Sequence, residues 1–169
     1  MDIEVKMGDL VVTKSPDNLM ASGIGSCLVI TLFDPKLRIG SLAHCMLPTR
    51  NGSCSGSDTS NPKSNTQGSI RKTQYEIRYA KYVDEAIDKL LERMETLGAE
   101  RAGIEAKLVG GANMFKTLKM DMGSKNISSA REKLEKAGIA IIGECVSGGQ
   151  GRSVEFSTAT GIVTVKTKF

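Results

Sequence analysis

The sequence predicts an α+β fold, in which two main helices pack on a mixed, largely antiparallel sheet. Three observations support this class: strand patterns at both ends of the chain, two segments with helical spacing of apolar residues, and the order strands, helix, strand, helix, strands. A chain of 169 residues is long enough for one domain with a proper core. We therefore expect a single domain over residues 1–169.

Strand patterns dominate the first part of the chain. The first two predicted strands alternate apolar and polar residues, and the next two are separated by Asp34-Pro35-Lys36, which breaks a strand. We expect these last two to pair as an antiparallel hairpin. Residues 19–21 are expected to connect a turn at 15–18 with a Gly-rich loop. The predicted strands are 3–6, 9–13, 27–33 and 38–47.

Helical spacing appears in two later segments. Apolar residues recur at helical intervals over Tyr75–Leu97, followed by Gly98, and again from Ile127 to Ala137, followed by Gly138. Four further strands are predicted, of which the last two form a closing hairpin. These strands are 104–109, 139–145, 152–157 and 162–168.

A polar low-complexity insertion separates the N-terminal strands from the first helix. Of its 26 residues, from 49 to 74, 16 are Ser, Thr, Asn or Gly. Such a segment buries too little apolar surface to offset its ordering entropy. We expect a mobile surface loop, either an inert insertion or a lid.

Composition excludes several classes of function. The net charge of +4 comes from 23 basic and 19 acidic residues spread along the chain, and aromatic residues make up 4%, so no nucleic-acid surface is expected. There is no apolar run of membrane-spanning length and no signal-peptide core, which predicts a cytoplasmic protein that is not inserted in a membrane. The four cysteines lack metal-ligand spacing, so we expect no metal site and no cofactor.

A Gly-rich turn delivers a cysteine into the third predicted strand. In Ser22-Gly23-Ile24-Gly25-Ser26-Cys27 the glycines permit unusual backbone conformations, so that the amides of Ser26 and Cys27 can converge on one point. A nucleophile beside converging amides suits acyl transfer. The alternative is a tight turn into a buried strand, with Cys27 as a small apolar side chain.

The only histidine, His44, lies in the strand predicted to return beside the Cys27 strand. Hairpin geometry places the start of the first strand opposite the end of the second, so Cys27 and His44 are expected to be neighbours. A purely structural His44 is the alternative. The other cysteines, Cys45, Cys54 and Cys145, are expected to be non-catalytic.

A second Gly-rich stretch, Gly110-Gly111-Ala112-Asn113-Met114-Phe115, follows the strand at 104–109. The paired glycines either approach a ligand or turn the chain. Phe115 is either a core residue or an exposed anchor for a partner. The sequence alone leaves both pairs of alternatives open.

Five motifs in order resemble the chemoreceptor glutamine deamidase family CheD. The resemblance runs from about Met7 to Lys166 and omits only the 49–74 insertion. The motifs are Gly23-Ile24-Gly25-Ser26-Cys27, Ala43-His44-Cys45-Met46-Leu47-Pro48, Gly110-Gly111-Ala112-Asn113-Met114-Phe115, Gly123-Ser124-Lys125-Asn126 and Gly148-Gly149-Gln150-Gly151-Arg152-Ser153-Val154.

This resemblance implies a hydrolase that converts particular glutamines of methyl-accepting chemotaxis receptors to glutamate and releases ammonia. It also implies an α/β sandwich similar to the deamidase domains of cytotoxic necrotizing factors, and binding to the phosphatase CheC. The family's catalytic cysteine and histidine correspond to Cys27 and His44. Its usual third member, a threonine, corresponds to Ala21. Ser22, a backbone carbonyl or a water could take that role.

The hypothesis is therefore Cys-His thiol catalysis, with the oxyanion held by amides of the turn at Ser26 and Cys27. One alternative is a non-catalytic or weakly catalytic regulatory partner of CheC, with Gly110, Gly111 and Phe115 as the docking surface. Another is a cysteine protease, which shares the chemistry and differs only in substrate.

Overall fold

The computed structural model describes residues 1–50, 73–114 and 121–168. Within them the chain forms strands and two α-helices, and the predicted α+β class is confirmed. The elements in order are β1 (Asp2–Glu4), β2 (Leu10–Thr13), β3 (Asn18–Ile24), β4 (Leu28–Asp34), β5 (Ile39–Cys45), β6 (Thr73–Glu76), α1 (Val83–Thr96), β7 (Glu105–Gly110), α2 (Met122–Ala137), β8 (Ala140–Val146), β9 (Gly151–Ser157) and β10 (Val163–Lys168).

The strands form two sheets, whereas the sequence predicted one. A four-stranded sheet has the order β1-β3-β9-β10, and a six-stranded sheet has the order β6-β2-β5-β4-β7-β8. Within each sheet most neighbours are antiparallel, and β1 with β3 and β7 with β8 are parallel. The mixed, largely antiparallel pairing is confirmed. Alternating patterns identify strands but not their partners, which is why the division into two sheets was missed.

Two apolar clusters make three layers. One lies between the six-stranded sheet and the helices, and the other lies between the two sheets. Along β4 and β5, alternate side chains therefore enter different cores. Leu28, Ile30 and Cys45 belong to the helix-side cluster, whereas Val29 and Leu42 belong to the cluster between the sheets.

Two predicted elements need correction. The helix predicted over Tyr75–Leu97 begins only at Val83, because Thr73–Glu76 forms an edge strand on β2. Arg78, with a left-handed φ of 64°, lies in the turn between them. Residues 19–21, expected as a connection, belong to β3. This strand pairs with β9, a partner far along the chain that no local pattern reveals.

Other elements match their predictions closely. The hairpin of β4 with β5 and that of β9 with β10 are both present. Helix α2 ends at Gly138 with φ 73°, the left-handed conformation that a glycine terminus allows. Its start at Met122 precedes the predicted apolar face, and the Asp121 side chain accepts a hydrogen bond from the Ser124 amide there.

The predicted insertion at 49–74 lies mostly outside the described residues. At its end, Thr73 and Gln74 belong to β6, so the predicted loop is too long by these two residues. Neither helix in the described residues combines the length and the apolar character needed to cross a membrane.

Candidate active site

Cys27 lies where the chain passes from one sheet to the other. Strand β3 belongs to the four-stranded sheet and β4 to the six-stranded sheet, with residues 25–27 between them. The register of β3 against β9 shifts between Ala21 and Ile24, and Gly23 in this bulge has φ 65°. The bulge and the glycines allow the chain to leave the four-stranded sheet after β3 and to enter the six-stranded sheet at β4.

The β4–β5 register places Cys27 and His44 on the same face. Val29 is opposite His44 and Leu28 is opposite Cys45, and Cys27 directly precedes this ladder, two residues before the partner of His44. Because side chains alternate along an extended chain, Cys27 is expected on the face that carries Val29 and His44. The hairpin predicted from the sequence thus brings the two side chains onto one face of the sheet.

His44 is held with one ring nitrogen occupied. The side chain is 2% exposed, and its Nδ1 lies 3.4 Å from the Val5 carbonyl oxygen. Because a carbonyl only accepts, this bond requires the proton on Nδ1, which leaves a lone pair on Nε2. Nε2 is buried and has no hydrogen-bond partner among the described residues, Cys27 Sγ included.

A buried carboxylate lies beside His44. The His44 amide donates to the Asp9 carbonyl at 3.1 Å, and the Asp9 carboxylate accepts from the Tyr75 hydroxyl at 2.8 Å and from the Arg78 amide at 2.9 Å. Burial lowers the pKa of His44, while the Val5 hydrogen bond and the charge of Asp9 act in the opposite direction. Burial is the largest effect, so the imidazole is neutral at pH 7.

The Cys27 thiol is half-buried and covered by a methionine. Its Sγ donates to the thioether Sδ of Met7 at 3.5 Å. Burial raises the pKa of Cys27, and the amide of Cys27 itself partly opposes this shift. Cys27 and His44 are therefore both neutral in this structure, so the geometry favours proton transfer during attack over a preformed thiolate–imidazolium pair.

The backbone of the turn is held from the inside by its carbonyl oxygens. The Gly25 carbonyl accepts from the Ala112 amide at 2.9 Å, the Ser26 carbonyl from Asn126 Nδ2 at 2.9 Å, and the Cys27 carbonyl from the Gly111 amide at 2.8 Å. In a trans peptide the N–H lies opposite the C=O. The amides of Ser26 and Cys27 are thus directed away from these contacts, and neither donates to a backbone carbonyl within the described residues.

Gly110 and Gly111 are buried beneath this turn. A Cβ on Gly110, which has φ 113°, would lie 2.6 Å from Ile24 Cγ2 and closer still to the Cys27 carbonyl oxygen. A Cβ on Gly111 would lie 2.6 Å from Ile127 Cδ1. Both glycines permit close backbone packing here, and their predicted role in partner binding stays a prediction. Phe115 lies outside the described residues.

Ser22 and Ala21 point to opposite sides of β3. Ala21 is buried in the cluster between the sheets, on whose side His44 also lies. Ser22 is exposed, and its hydroxyl donates to Glu4 Oε1 at 3.4 Å. The hydrogen bonds of the structure therefore connect His44 with the Val5 carbonyl and not with the Ser22 hydroxyl.

Sequence reasoning missed two parts of the site. The connection between β1 and β2, residues 5–9, supplies the Val5 carbonyl, the Met7 thioether and Asp9. Asn126 was quoted only as part of a motif. Both parts of the site depend on contacts between segments far apart in the chain. The one local signal for Asn126 is its position in the motif Gly123-Ser124-Lys125-Asn126.

The remaining described cysteines lie elsewhere. Cys45 is fully buried on the helix side of the sheet, where burial strongly raises its pKa, and Cys145 is partly buried on β8. Cys54 lies outside the described residues. Across residues 1–50, 73–114 and 121–168, no group of His, Cys, Asp and Glu side chains is arranged to hold a metal ion.

Comparisons with known proteins point to one family. The sequence model described as CheD chemotactic sensory transduction matches residues 62–167. A protein of Clostridium botulinum strain Hall named probable chemoreceptor glutamine deamidase CheD is 40% identical over 174 residues, covering 99% of this chain and 95% of that protein. A protein of Methanococcus vannielii with the same name is 39% identical over 168 residues, covering 98% and 95%. This chain therefore belongs to the CheD family.

Proposed function

We propose that this protein deamidates glutamine side chains of chemotaxis receptors, with Cys27 as the nucleophile and His44 as the general base. The names of its relatives supply the reaction and the substrate class. The observation that carries the proposal for this chain is the placement of a half-buried thiol and the free Nε2 of His44 on one face of the β4–β5 hairpin. We also propose a cytoplasmic location, as expected from the sequence.

Attack begins when the substrate carboxamide displaces the Met7 thioether from Cys27. The thiol proton moves to Nε2 of His44, and Sγ forms a bond to the carboxamide carbon. The Val5 carbonyl accepts from Nδ1–H and so stabilises the imidazolium that results. The charge of Asp9 favours the same form.

The carbonyl oxygen of the substrate becomes an oxyanion as the C–S bond forms. We propose that the amides of Ser26 and Cys27 donate to it, because the carbonyls of the same peptides are already held inside. Removing one such donor typically costs about 3 kcal/mol of transition-state stabilisation.

Collapse of this intermediate breaks the C–N bond. The nitrogen takes the proton from His44 Nε2 and leaves as ammonia, and the acyl group remains on Sγ as a thioester. Water then gives a proton to His44 as it attacks the thioester, the C–S bond breaks, and the proton returns to the thiol. The product is a glutamate side chain.

We assign the orienting role at His44 to the Val5 carbonyl. The position of the family's threonine is Ala21, whose methyl group neither donates nor accepts hydrogen bonds, and the Ser22 hydroxyl is exposed and bonded to Glu4. The Val5 carbonyl belongs to the backbone, so an alanine at position 21 does not remove the group that orients His44.

The test is ammonia release together with the one-dalton mass change of glutamine to glutamate on a receptor fragment. Cys27→Ala should abolish both signals and leave the protein folded. Cys145→Ala, which removes another partly exposed thiol, should retain full activity. Activity that survives in the Cys27 variant would overturn the proposal.

A regulatory role towards CheC is the second candidate function. The observation that favours it is the buried Ala21 at the threonine position, which offers His44 no hydroxyl group. A protein that binds CheC but releases no ammonia from any receptor fragment would support this role. In that case Phe115→Ala tests the predicted anchor, since a lost affinity with a retained fold would place Phe115 in the interface.

A further inference from the structure

Asn126 connects two parts of the site from within the core. It lies near the start of α2, as its fifth residue, and is fully buried. This turn packs tightly on the loop after β7, where a Cβ on Gly123 would lie 2.6 Å from the Ala112 carbonyl oxygen. The side chain of Asn126 therefore starts from a backbone whose position is closely fixed.

Both N–H groups of the Asn126 amide are used. Nδ2 donates to the Ser26 carbonyl at 2.9 Å and to the Met46 carbonyl at 3.1 Å. Ser26 precedes Cys27, and Met46 follows His44 by two residues. One side chain thus joins the turn that carries the thiol to the end of the strand that carries the imidazole.

The bond to Ser26 also fixes the direction of an amide. The Ser26 carbonyl and the Cys27 N–H belong to one planar trans peptide, so holding the oxygen inside directs the N–H outward. We propose that Asn126 is a positioning residue that orients the Cys27 amide toward the substrate oxyanion, an inference that rests on the proposed function.

The second polar atom of Asn126 supports this assignment. Oδ1 is buried and has no hydrogen-bond partner among the described residues. An unsatisfied buried acceptor is costly, but an apolar side chain at this position would take from the Ser26 and Met46 carbonyls the donor that they share. The two donated bonds therefore hold the Cys27 turn and the end of β5 together while one oxygen of the same amide is left unpaired.

The experiment compares two reactions of Cys27 in the full chain carrying Asn126→Ala. Acylation by p-nitrophenyl acetate forms the Sγ–acyl bond, passes through an oxyanion and expels p-nitrophenolate, while the thiol proton passes to His44. Alkylation by iodoacetamide forms a C–S bond and expels iodide with no oxyanion. The p-nitrophenolate burst reports the first reaction against a Cys27→Ala blank. Mass spectrometry of tryptic peptide 15–36, whose only cysteine is Cys27, reports the second.

We expect the ratio of acylation to alkylation rates to fall about tenfold or more in Asn126→Ala, as loss of an oriented oxyanion donor requires. On the receptor fragment, kcat should fall by a similar factor with little change in KM. Neither thiol reaction needs a receptor, so the ratio tests the role of Asn126 even if deamidation of receptors fails.

Ser129→Ala is the matched control. It removes a hydrogen bond of the same kind, from the same helix to the Pro48 carbonyl at 2.9 Å, without touching the Cys27 turn. Its ratio should equal that of the unmodified protein. If Asn126→Ala fails to fold, Asn126→Ser keeps one donor on a shorter side chain and should show a smaller fall. An unchanged ratio in the folded Asn126 variants, or an equal fall in Ser129→Ala, would overturn the inference.

Discussion

On its inner side the Cys27 turn is held by hydrogen bonds from Gly111, Ala112 and Asn126, whereas on its outer side the thiol is covered by the side chain of Met7. The inner contacts are buried and join backbone groups that cannot rearrange without leaving polar atoms unpaired. Met7 is 55% exposed, and its contact is between two sulfur atoms. A thioether is flexible and binds weakly.

The inner contacts therefore position the nucleophile, whereas the outer contact controls the access of substrate to it. The inner side sets the direction of the peptide groups around the nucleophile, and any change there should cost both stability and catalysis. The outer side can yield to a substrate at little cost, since moving Met7 breaks no backbone hydrogen bond. The following predictions test the two sides, beginning with the inner one.

Gly110→Ala should produce the largest effect. Its φ of 113° disfavours a side chain, and the new Cβ would collide with the Cys27 carbonyl and with Ile24. We expect the free energy of unfolding to fall by about 3 kcal/mol or more, because strain and overpacking combine at a buried position. Urea unfolding measures the loss.

Gly23→Ala is the control, since its φ is 65° but nothing lies within 4 Å of the new Cβ. There we expect about 1 to 2 kcal/mol. Equal losses would contradict the close packing beneath Cys27.

Asp9→Asn should shift the pH profile. The general base must be unprotonated, so activity falls as the pH drops through the pKa of His44, which burial holds below its ordinary value of 6.5. Removing the Asp9 charge lowers this pKa further, and the acid limb of kcat/KM should move to lower pH. Tyr75→Phe removes the hydroxyl donor but keeps the carboxylate, so it should leave the limb closer to that of the unmodified protein. A shift to higher pH in Asp9→Asn would refute this electrostatic role.

Met7→Ala should expose the thiol with little loss of stability. We expect alkylation of Cys27 by iodoacetamide to accelerate about fivefold, the ratio that corresponds to about 1 kcal/mol of lost sulfur contact. The rate is measured on tryptic peptide 15–36 at a fixed pH. Met20→Ala, which truncates a methionine between the inward-facing Leu19 and Ala21 of β3, should leave this rate unchanged. A slower reaction in Met7→Ala would mean that Met7 supports the thiol and does not cover it.

Ser22→Ala should have the smallest effect. Its hydroxyl is exposed and bonded at 3.4 Å to Glu4, so stability should change by less than about 0.5 kcal/mol. With the Val5 carbonyl orienting His44, kcat should stay within about twofold. A large loss of kcat in a folded Ser22 variant would instead show that the Ser22 hydroxyl, and not the Val5 carbonyl, orients His44.

Local patterns predicted the parts of the fold that depend on neighbouring residues. Helix α2 and its end at Gly138, the β4–β5 hairpin and the β9–β10 hairpin all follow from spacing and turn residues within one segment. The apolar spacing that continued back to Tyr75 gave a wrong start for α1. There, pairing with β2 outweighed helical periodicity, because β6 supplies hydrogen-bond partners to the outer edge of β2, which a longer helix would leave unpaired.

By itself the sequence determined which two side chains could meet. Two strands joined by a short turn pair antiparallel, so a cysteine at the start of the first and a histidine at the end of the second are expected at the same end of the hairpin. Only the tertiary structure decided how they are supported. The Val5 carbonyl, the Met7 thioether and the Asn126 amide reach the site from segments that no short-range pattern connects to Cys27 or His44. Their placement depends on how two sheets and a helix pack together, which is a property of the whole core.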